Sequence, residues 1–268
     1  MDEILSKCET CSKEPTDTIN VARFADKIAS CYARGDLASA EKQLSFWDAE
    51  ARSLGDGRGL LSVLNEKVGV YRHLHKKEEG IAVSREAAAL VDTLGVGDTV
   101  SAATVFVNCA TTLKAFGLPG EALPLYGRAR TVYEREAGTD PYLLSSLYNN
   151  MATTLTDLGD LPAAEENYLR AIALLTEQGG YDGEVGISYV NLAFLYDKME
   201  KSAEECLDAL EAGWEYLNSK KIKQNGAYAR ICENCASAFT AFGLPERERE
   251  LRERAKKLYE AERRGQER

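Results

Sequence analysis

The chain has 268 residues, of which 44% are hydrophobic and 28% are charged, and its net charge is -10. No apolar run approaches the roughly 18 residues that a membrane span needs, so we expect a soluble chain, and its negative charge disfavours an anionic membrane as a partner. Acidic residues outnumber basic ones 43 to 33, which disfavours nucleic acid because phosphate binding relies on clustered lysine and arginine. The first eight residues have acids where a secretory signal has bases, and they lack its apolar core, which indicates a cytoplasmic protein.

A repeat begins after residues 1–15, which we predict to be a leader that is either a short helix or mobile. The pentapeptide Ala-Phe-Gly-Leu-Pro occurs at residues 115–119 and again at 241–245, three periods of 42 apart. When the repeats are aligned at the turn between their two helices, the turn residues are Gly35, His75, Gly117, Gly159, Glu200 and Gly243, at steps of 40, 42, 42, 41 and 43. A period of this length marks an array of stacked units. We therefore predict six helical hairpins.

The fourth hairpin shows the pattern most clearly. Its first helix is predicted from Tyr142 to Leu158, with apolar residues at steps of three and four, and its second helix from Pro162 to about Gln178. The first two hairpins depart from this pattern, with Asp26 and Glu66 where later repeats have asparagine. The fifth has no turn glycine and carries Glu205 where the fourth has alanine, so we expect its hairpin to open differently.

Two columns of small or apolar residues recur and are predicted to set the distance between helices. Twelve residues after each turn stand Trp47, Ala87, Ala129, Ala171, Ala212 and Ala255. Seven residues before each turn stand Ile28, Val68, Ala110, Ala152, Ala193 and Ala236. After the last turn, Leu251, Ala255, Leu258 and Tyr259 form an apolar stripe among dense charge, which predicts a capping helix.

Residues 148–152 (Tyr-Asn-Asn-Met-Ala) with Gly159-Asp160, and residues 189–193 (Tyr-Val-Asn-Leu-Ala) with Leu195-Tyr196, resemble tetratricopeptide repeats of the long-period kinesin-light-chain-like subtype. The resemblance implies an all-α fold, a right-handed superhelical solenoid of about six tetratricopeptide-like hairpins over residues 16–262. The last hairpin would carry the charged capping helix, and residues 263–268 would be a mobile tail.

The same resemblance implies that first helices line a concave surface that binds peptides. Asparagine recurs there, and an amide offers both a donor and an acceptor to a peptide backbone. The alternative is that these amides tie neighbouring helices together. The candidate peptide-binding residues are Asn108, Asn149, Asn150, Asn191, Asn234, Thr111, Thr153 and Phe194, with Arg72, Lys114, Lys198 and Arg230 as positive points.

No catalytic, metal or cofactor site is predicted. His73 and His75 point to different sides of a helix, and the glycine-rich residues 55–59 lack the Lys-Ser/Thr ending of a phosphate loop. The Cys8/Cys11 and Cys232/Cys235 pairs have zinc-ligand spacing, but Cys235 occupies a repeat position that packing explains. We predict a non-catalytic scaffold that binds a protein or peptide partner. The alternatives are a peptide-responsive regulatory sensor and a self-assembling scaffold, so a homo-oligomer stays open.

Overall fold

The computed structural model describes residues 18–266, and within that range the chain forms twelve α-helices and no strand. The predicted all-α architecture of helical hairpins is confirmed. The leader predicted for residues 1–15 lies outside the described residues. The helices are α1 Val21–Ala33, α2 Leu37–Leu54, α3 Gly57–His73, α4 Lys77–Thr93, α5 Val100–Ala115, α6 Pro119–Arg135, α7 Pro141–Leu158, α8 Leu161–Gln178, α9 Asp182–Lys198, α10 Ala203–Leu217, α11 Gly226–Ala241 and α12 Pro245–Gln266.

The chain divides into two compact units between Thr139 and Asp140. The first unit contains the hairpins α1–α2, α3–α4 and α5–α6, and the second contains α7–α8, α9–α10 and α11–α12. We call the odd-numbered helices the first helices of their hairpins. Helix α12 continues to Gln266, past residue 262, after which we expected a mobile tail.

All six hairpin turns have the same backbone geometry. The six anchor residues have positive φ: 66° at Gly35, 54° at His75, 85° at Gly117, 84° at Gly159, 57° at Glu200 and 78° at Gly243. In each turn the next residue donates its backbone N–H to the carbonyl five residues earlier, at 2.7–3.0 Å. This is the Schellman arrangement that ends helices with a left-handed residue. His75 and Glu200 therefore adopt a conformation that normally favours glycine.

The turn of the fifth hairpin does not depart from the others, contrary to our expectation. Glu200 takes the left-handed conformation, and the helix after it begins with a capping box. Ser202 accepts from the backbone N–H of Glu205 at 3.2 Å, and the Glu205 carboxylate accepts from the backbone N–H of Ser202 at 3.0 Å. Glu205, the third residue of α10, thus caps the start of this helix at the position where the fourth hairpin has Ala164.

The predicted core columns are buried. All six residues of the column before the turn are 0–2% exposed, and five of the six in the column after the turn are buried. The exception is the half-buried Ala212. Its neighbour Gly213 is buried instead, and a Cβ placed on Gly213 would lie 3.2 Å from the carbonyl oxygen of Gly186 on α9. Helices α9 and α10 therefore approach each other at a pair of glycines.

The last helix closes the core of the second unit. Leu251 and Ala255 of α12 are 0% and 4% exposed and pack with Phe239 and Cys235 of α11. Leu258 and Tyr259 are partly buried against the same cluster. The predicted apolar stripe therefore faces α11.

Candidate cleft on the first helices

Each unit has a cleft lined mainly by first helices. In the first unit, cleft A has a volume of about 340 Å³ and lies among α1, α3 and α5. Tyr32 lies on its wall, where the hydroxyl donates to a Glu66 carboxylate oxygen at 2.9 Å. Cleft A is lined by Phe24, Ala25, Ile28, Ala29, Tyr32, Leu61, Ser62, Asn65, Glu66, Ser101, Thr104 and Val105.

In the second unit, cleft B has a volume of about 220 Å³ and lies between α7 and α9. These helices contact each other much less than each contacts α8, which leaves a space between them. Successive lining residues on α7 and α9 are separated mostly by three or four positions, so they share one face of each helix. Cleft B is lined by Tyr142, Ser145, Ser146, Asn149, Asn150, Thr153, Leu175, Glu184, Ile187 and Asn191.

Cleft B brings together four of the residues predicted from the sequence, Asn149, Asn150, Thr153 and Asn191. Asn149 ties the two helices together. Its amide nitrogen donates to the Ser145 carbonyl at 3.2 Å and to the Ser188 hydroxyl on α9 at 2.9 Å. Ser188 is fully buried and donates in turn to the Glu184 carbonyl at 3.0 Å. This chain of bonds holds α7 against α9.

The amides of Asn150 and Asn191 behave differently. Both residues are half-buried and line cleft B. Neither side-chain amide forms a hydrogen bond to any other residue of the chain between 18 and 266. A half-buried amide cannot form all of its hydrogen bonds to water, so a hydrogen bond to a bound partner would stabilise it. These two side chains are therefore free to bond a ligand in the cleft.

Thr153 is the fourth predicted residue in cleft B. Its hydroxyl donates to the Asn150 carbonyl at 3.0 Å within α7. The hydroxyl oxygen keeps its capacity to accept a hydrogen bond.

In the first unit, the predicted residues are largely engaged within the protein. The Asn108 side-chain amide donates to the side-chain oxygen Oδ1 of Asn65 at 2.9 Å, which links α5 to α3 beside cleft A. The Thr111 hydroxyl donates to the Val107 carbonyl and bonds the Tyr126 hydroxyl at 2.9 Å. Lys114 is half-buried and has a partner within the protein.

Arg72 is the remaining predicted residue of the first unit. It is half-buried, and Nη1 donates to the Thr112 hydroxyl at 3.3 Å. Burial lowers the pKa of its guanidinium. It forms no ion pair with a described residue.

The remaining predicted residues of the second unit lie outside the lining of cleft B. Phe194 is 43% exposed and its ring lies 5.2 Å from that of Phe242. The Lys198 ammonium donates to the Thr156 carbonyl at 2.8 Å, near the end of α7. Asn234 and Arg230 are exposed on α11.

Sequence reasoning missed Glu184, the ionisable carboxyl group in cleft B. Glu184 lies seven residues before Asn191 on α9, which places both on one face. Burial raises the pKa of the Glu184 carboxyl above its ordinary value of 4.5, and the negative charge of Asp182 adds to the rise. Continuing the asparagine stripe two turns toward the start of α9 would have found this residue.

The residues considered for metal or catalytic chemistry are dispersed. Cys8 and Cys11 lie outside the described residues, and Cys232 and Cys235 are buried in the core of the second unit. His73 and His75 are both exposed. From residue 18 to 266, no three or more His, Cys, Asp or Glu side chains are grouped as metal ligands. None of the described helices has the length and apolar character to span a membrane.

Comparison with known proteins identifies the repeat. Residues 143–210, from α7 into α10, match the family model for the tetratricopeptide repeat. A search of curated proteins found no match.

Solved structures share the fold at low sequence identity. BtubC (BKLC) from P. vanneervenii is 18% identical, with 90% of this chain and 92% of that one covered and a TM-score of 0.56. A putative kinesin light chain of Podosopora anserina is 16% identical, with 74% and 94% covered and a TM-score of 0.54. The apo form of the quorum sensor NprR from B. thuringiensis is 13% identical, with 88% and 64% covered and a TM-score of 0.61.

The family match, the common turn geometry and the fold similarity agree. The predicted resemblance is confirmed: residues 143–210 match the tetratricopeptide-repeat family, and the chain shares its fold with solved structures that include a putative kinesin light chain.

Proposed function

We propose that the chain is a non-catalytic protein-interaction scaffold whose second unit binds an extended peptide segment of a partner in cleft B. The observation that supports this most is the pair Asn150 and Asn191. They line one cleft from two helices, are half-buried, and make no side-chain hydrogen bond within the described part of the chain.

The chemistry of cleft B suits an extended backbone. Each residue of such a segment presents a backbone N–H donor and a C=O acceptor. An amide side chain can bond to both groups whatever the side chains of the peptide are. Ile187 and the ring of Tyr142 give the cleft apolar contact surface. Backbone hydrogen bonds would supply affinity and the side-chain pockets selectivity.

The family match supports the same location. Residues 143–210 include nearly all of α7 and the whole of α9, the helices on either side of cleft B. Tetratricopeptide repeats bind protein partners. A shared fold does not by itself determine function, so the function of this chain has to be argued from its site. Here the site is the pair of uncommitted amides.

The experiment is a selection of peptides from a random library by the purified protein, followed by affinity measurement. The selected peptides are titrated by fluorescence anisotropy against wild type and the Asn150→Ala/Asn191→Ala double variant. Gln178→Ala, which removes an exposed amide at the end of α8, is the matched control. Circular dichroism verifies that each variant is folded.

We expect the double variant to bind about ten- to a hundred-fold more weakly, because each lost hydrogen bond is worth about 0.5–1.5 kcal/mol. The control should bind like wild type. If the folded double variant binds the selected peptides as tightly as wild type, or if selection yields no binding peptide, cleft B is not the peptide site.

The two alternative functions have their own measurements. A peptide-responsive sensor would change its radius of gyration on adding a selected peptide, which X-ray scattering detects. A self-assembling scaffold would show multiples of 29.5 kDa in light scattering. The scaffold proposal expects neither change.

A further inference from the structure

The Glu184 carboxylate lies where two clefts of the second unit meet. It lines cleft B beside Asn191 and also lines a neighbouring cleft of about 160 Å³, which we call cleft C. Cleft C is formed by the start of α9, the segment before α11 and the first turns of α11. Glu184 is half-buried. A carboxylate in this position has lost part of its hydration.

Glu184 has no counter-ion within the described residues. Lys221 and Lys223 line cleft C together with Glu184, but both are exposed and neither forms an ion pair with it. Asp182 adds negative charge from the same turn of α9. A partly buried carboxylate without a cation is unfavourable, because neither water nor a partner fully compensates its charge. This arrangement favours a cation supplied from outside.

The rest of cleft B can also accommodate a cation. Tyr142 lies on its wall, is 42% exposed, and stacks on Tyr181 with ring centroids 6.2 Å apart. The face of an aromatic ring attracts a cation electrostatically. The carbonyl oxygens of the Asn150 and Asn191 amides add two acceptors. Cleft B thus combines one charge, two amide acceptors and an aromatic face.

We propose that cleft B holds a basic side chain of the bound segment, arginine in preference to lysine, with Glu184 as its counter-ion. A guanidinium offers five donors in a plane, so it can bond a carboxylate and amide oxygens together and lie against a ring. The net charge of -10 on the chain also attracts a basic partner. This inference rests on the proposed function, because it assigns the chemistry of one subsite in the same cleft.

The test uses three capped peptides that differ in one central residue within an otherwise identical Ser/Ala sequence. The central residue is arginine, its neutral isostere citrulline, or glutamate. Each is titrated to about 10 mM, a range that detects weak binding. The readout is two-dimensional NMR of the isotope-labelled protein, following the side-chain amide signals of Asn150 and Asn191. The variants are Glu184→Gln and the control Glu215→Gln, which removes an exposed carboxylate on α10.

We expect the arginine peptide to bind wild type about ten-fold more tightly than the citrulline peptide, because hydrogen bonds between charged groups are about twice as strong as neutral ones. The glutamate peptide should bind most weakly. Glu184→Gln should remove the preference for arginine over citrulline, and Glu215→Gln should keep it.

Two results would overturn the inference, and they differ in what they say about the proposed function. If arginine and citrulline peptides bind wild type equally and both shift the Asn150 and Asn191 signals, peptide binding stands and the cation subsite is wrong. If no peptide shifts these signals, the cation subsite is wrong and the peptide cleft itself loses its support.

Discussion

The side-chain amide of Asn149 on α7 donates to the hydroxyl of Ser188 on α9 at 2.9 Å. The next residue along α7, Asn150, makes no side-chain hydrogen bond to any described residue and lines cleft B. Two adjacent asparagines of one repeat therefore have different roles, because neighbouring residues on a helix point about 100° apart.

Replacement of Asn149 and of Asn150 should affect stability differently. Asn149→Ala loses the bonds to Ser145 and Ser188, and we expect it to lower the free energy of unfolding by about 1 kcal/mol. The loss is not larger because the substitution also removes the side-chain oxygen Oδ1, which is buried without a hydrogen-bond partner in the described structure. Asn150→Ala should stay within about 0.5 kcal/mol of wild type. Urea unfolding followed by circular dichroism measures both, and equal losses would show that Asn150 is structural.

The glycine pair between α9 and α10 should not tolerate a side chain. A Cβ on Gly186 would lie 2.8 Å from Leu217 Cγ and 3.2 Å from the Gly213 carbonyl oxygen. We expect Gly186→Ala to destabilise the protein by about 1–3 kcal/mol through overpacking. Gly127→Ala on α6 is the control, since its Cβ would meet open space, and it should stabilise the helix by about 0.5–1 kcal/mol. Thermal unfolding of the two variants should move in opposite directions.

The left-handed turns at His75 and Glu200 should gain stability from glycine. Both residues have φ near 55°, a conformation that costs a residue with a side chain about 1 kcal/mol relative to glycine. We expect His75→Gly and Glu200→Gly each to raise the free energy of unfolding, as measured by urea titration. The reverse change, Gly159→Ala, should lower it by a similar amount. A destabilised Glu200→Gly variant would mean that the Glu200 side chain makes a contact that outweighs the strain.

Stability should depend on pH through Glu184. Its pKa is higher in the folded protein than the ordinary 4.5, so the folded state binds the proton more tightly than the unfolded chain does. Ionisation therefore reduces stability as the pH rises through the interval between these two values. The charged groups that line cleft C with Glu184 are Asp182 on α9 and the exposed Lys221 and Lys223.

Glu184→Gln, which cannot ionise, should accordingly be more stable than wild type at pH 7. The difference should shrink as the pH falls through the raised folded pKa toward 4.5. Urea unfolding of both proteins at several pH values measures this, with Glu215→Gln as the control for loss of an exposed carboxylate. A less stable Glu184→Gln variant at pH 7 would show that the carboxylate has a stabilising partner in the folded protein.

The sequence contains enough information for the repeat frame. The spacing of the turn residues predicts six hairpins, and all six anchors have the left-handed backbone. His75 and Glu200 follow the frame without glycine, because the hydrogen bonds of the turn and the flanking helices impose its geometry. The alanine column fails at Ala212, because the close approach there falls on Gly213, one residue later. A period cannot reveal a shift of one residue within a single repeat.

The candidate site was only partly predictable. The asparagine column led to Asn150 and Asn191, and both line one cleft. It could not distinguish these residues from Asn108, which donates to Asn65 between α5 and α3, because recurrence is the same for an amide that binds a ligand and one that joins helices. Glu184 escaped notice because its importance comes from burial and from missing counter-charge, and neither is visible in a periodic pattern.

The space between α7 and α9 also has a mechanical consequence for the second unit. These helices are joined through α8 and by two direct hydrogen bonds, from Asn149 to Ser188 and from Lys198 to the Thr156 carbonyl. A peptide segment bound between α7 and α9 would contact both helices at once and would restrict their movement relative to each other. The stiffness of the fourth and fifth hairpins would then depend on whether cleft B is filled. A measurement of the distance between α7 and α9 would report whether a peptide is bound.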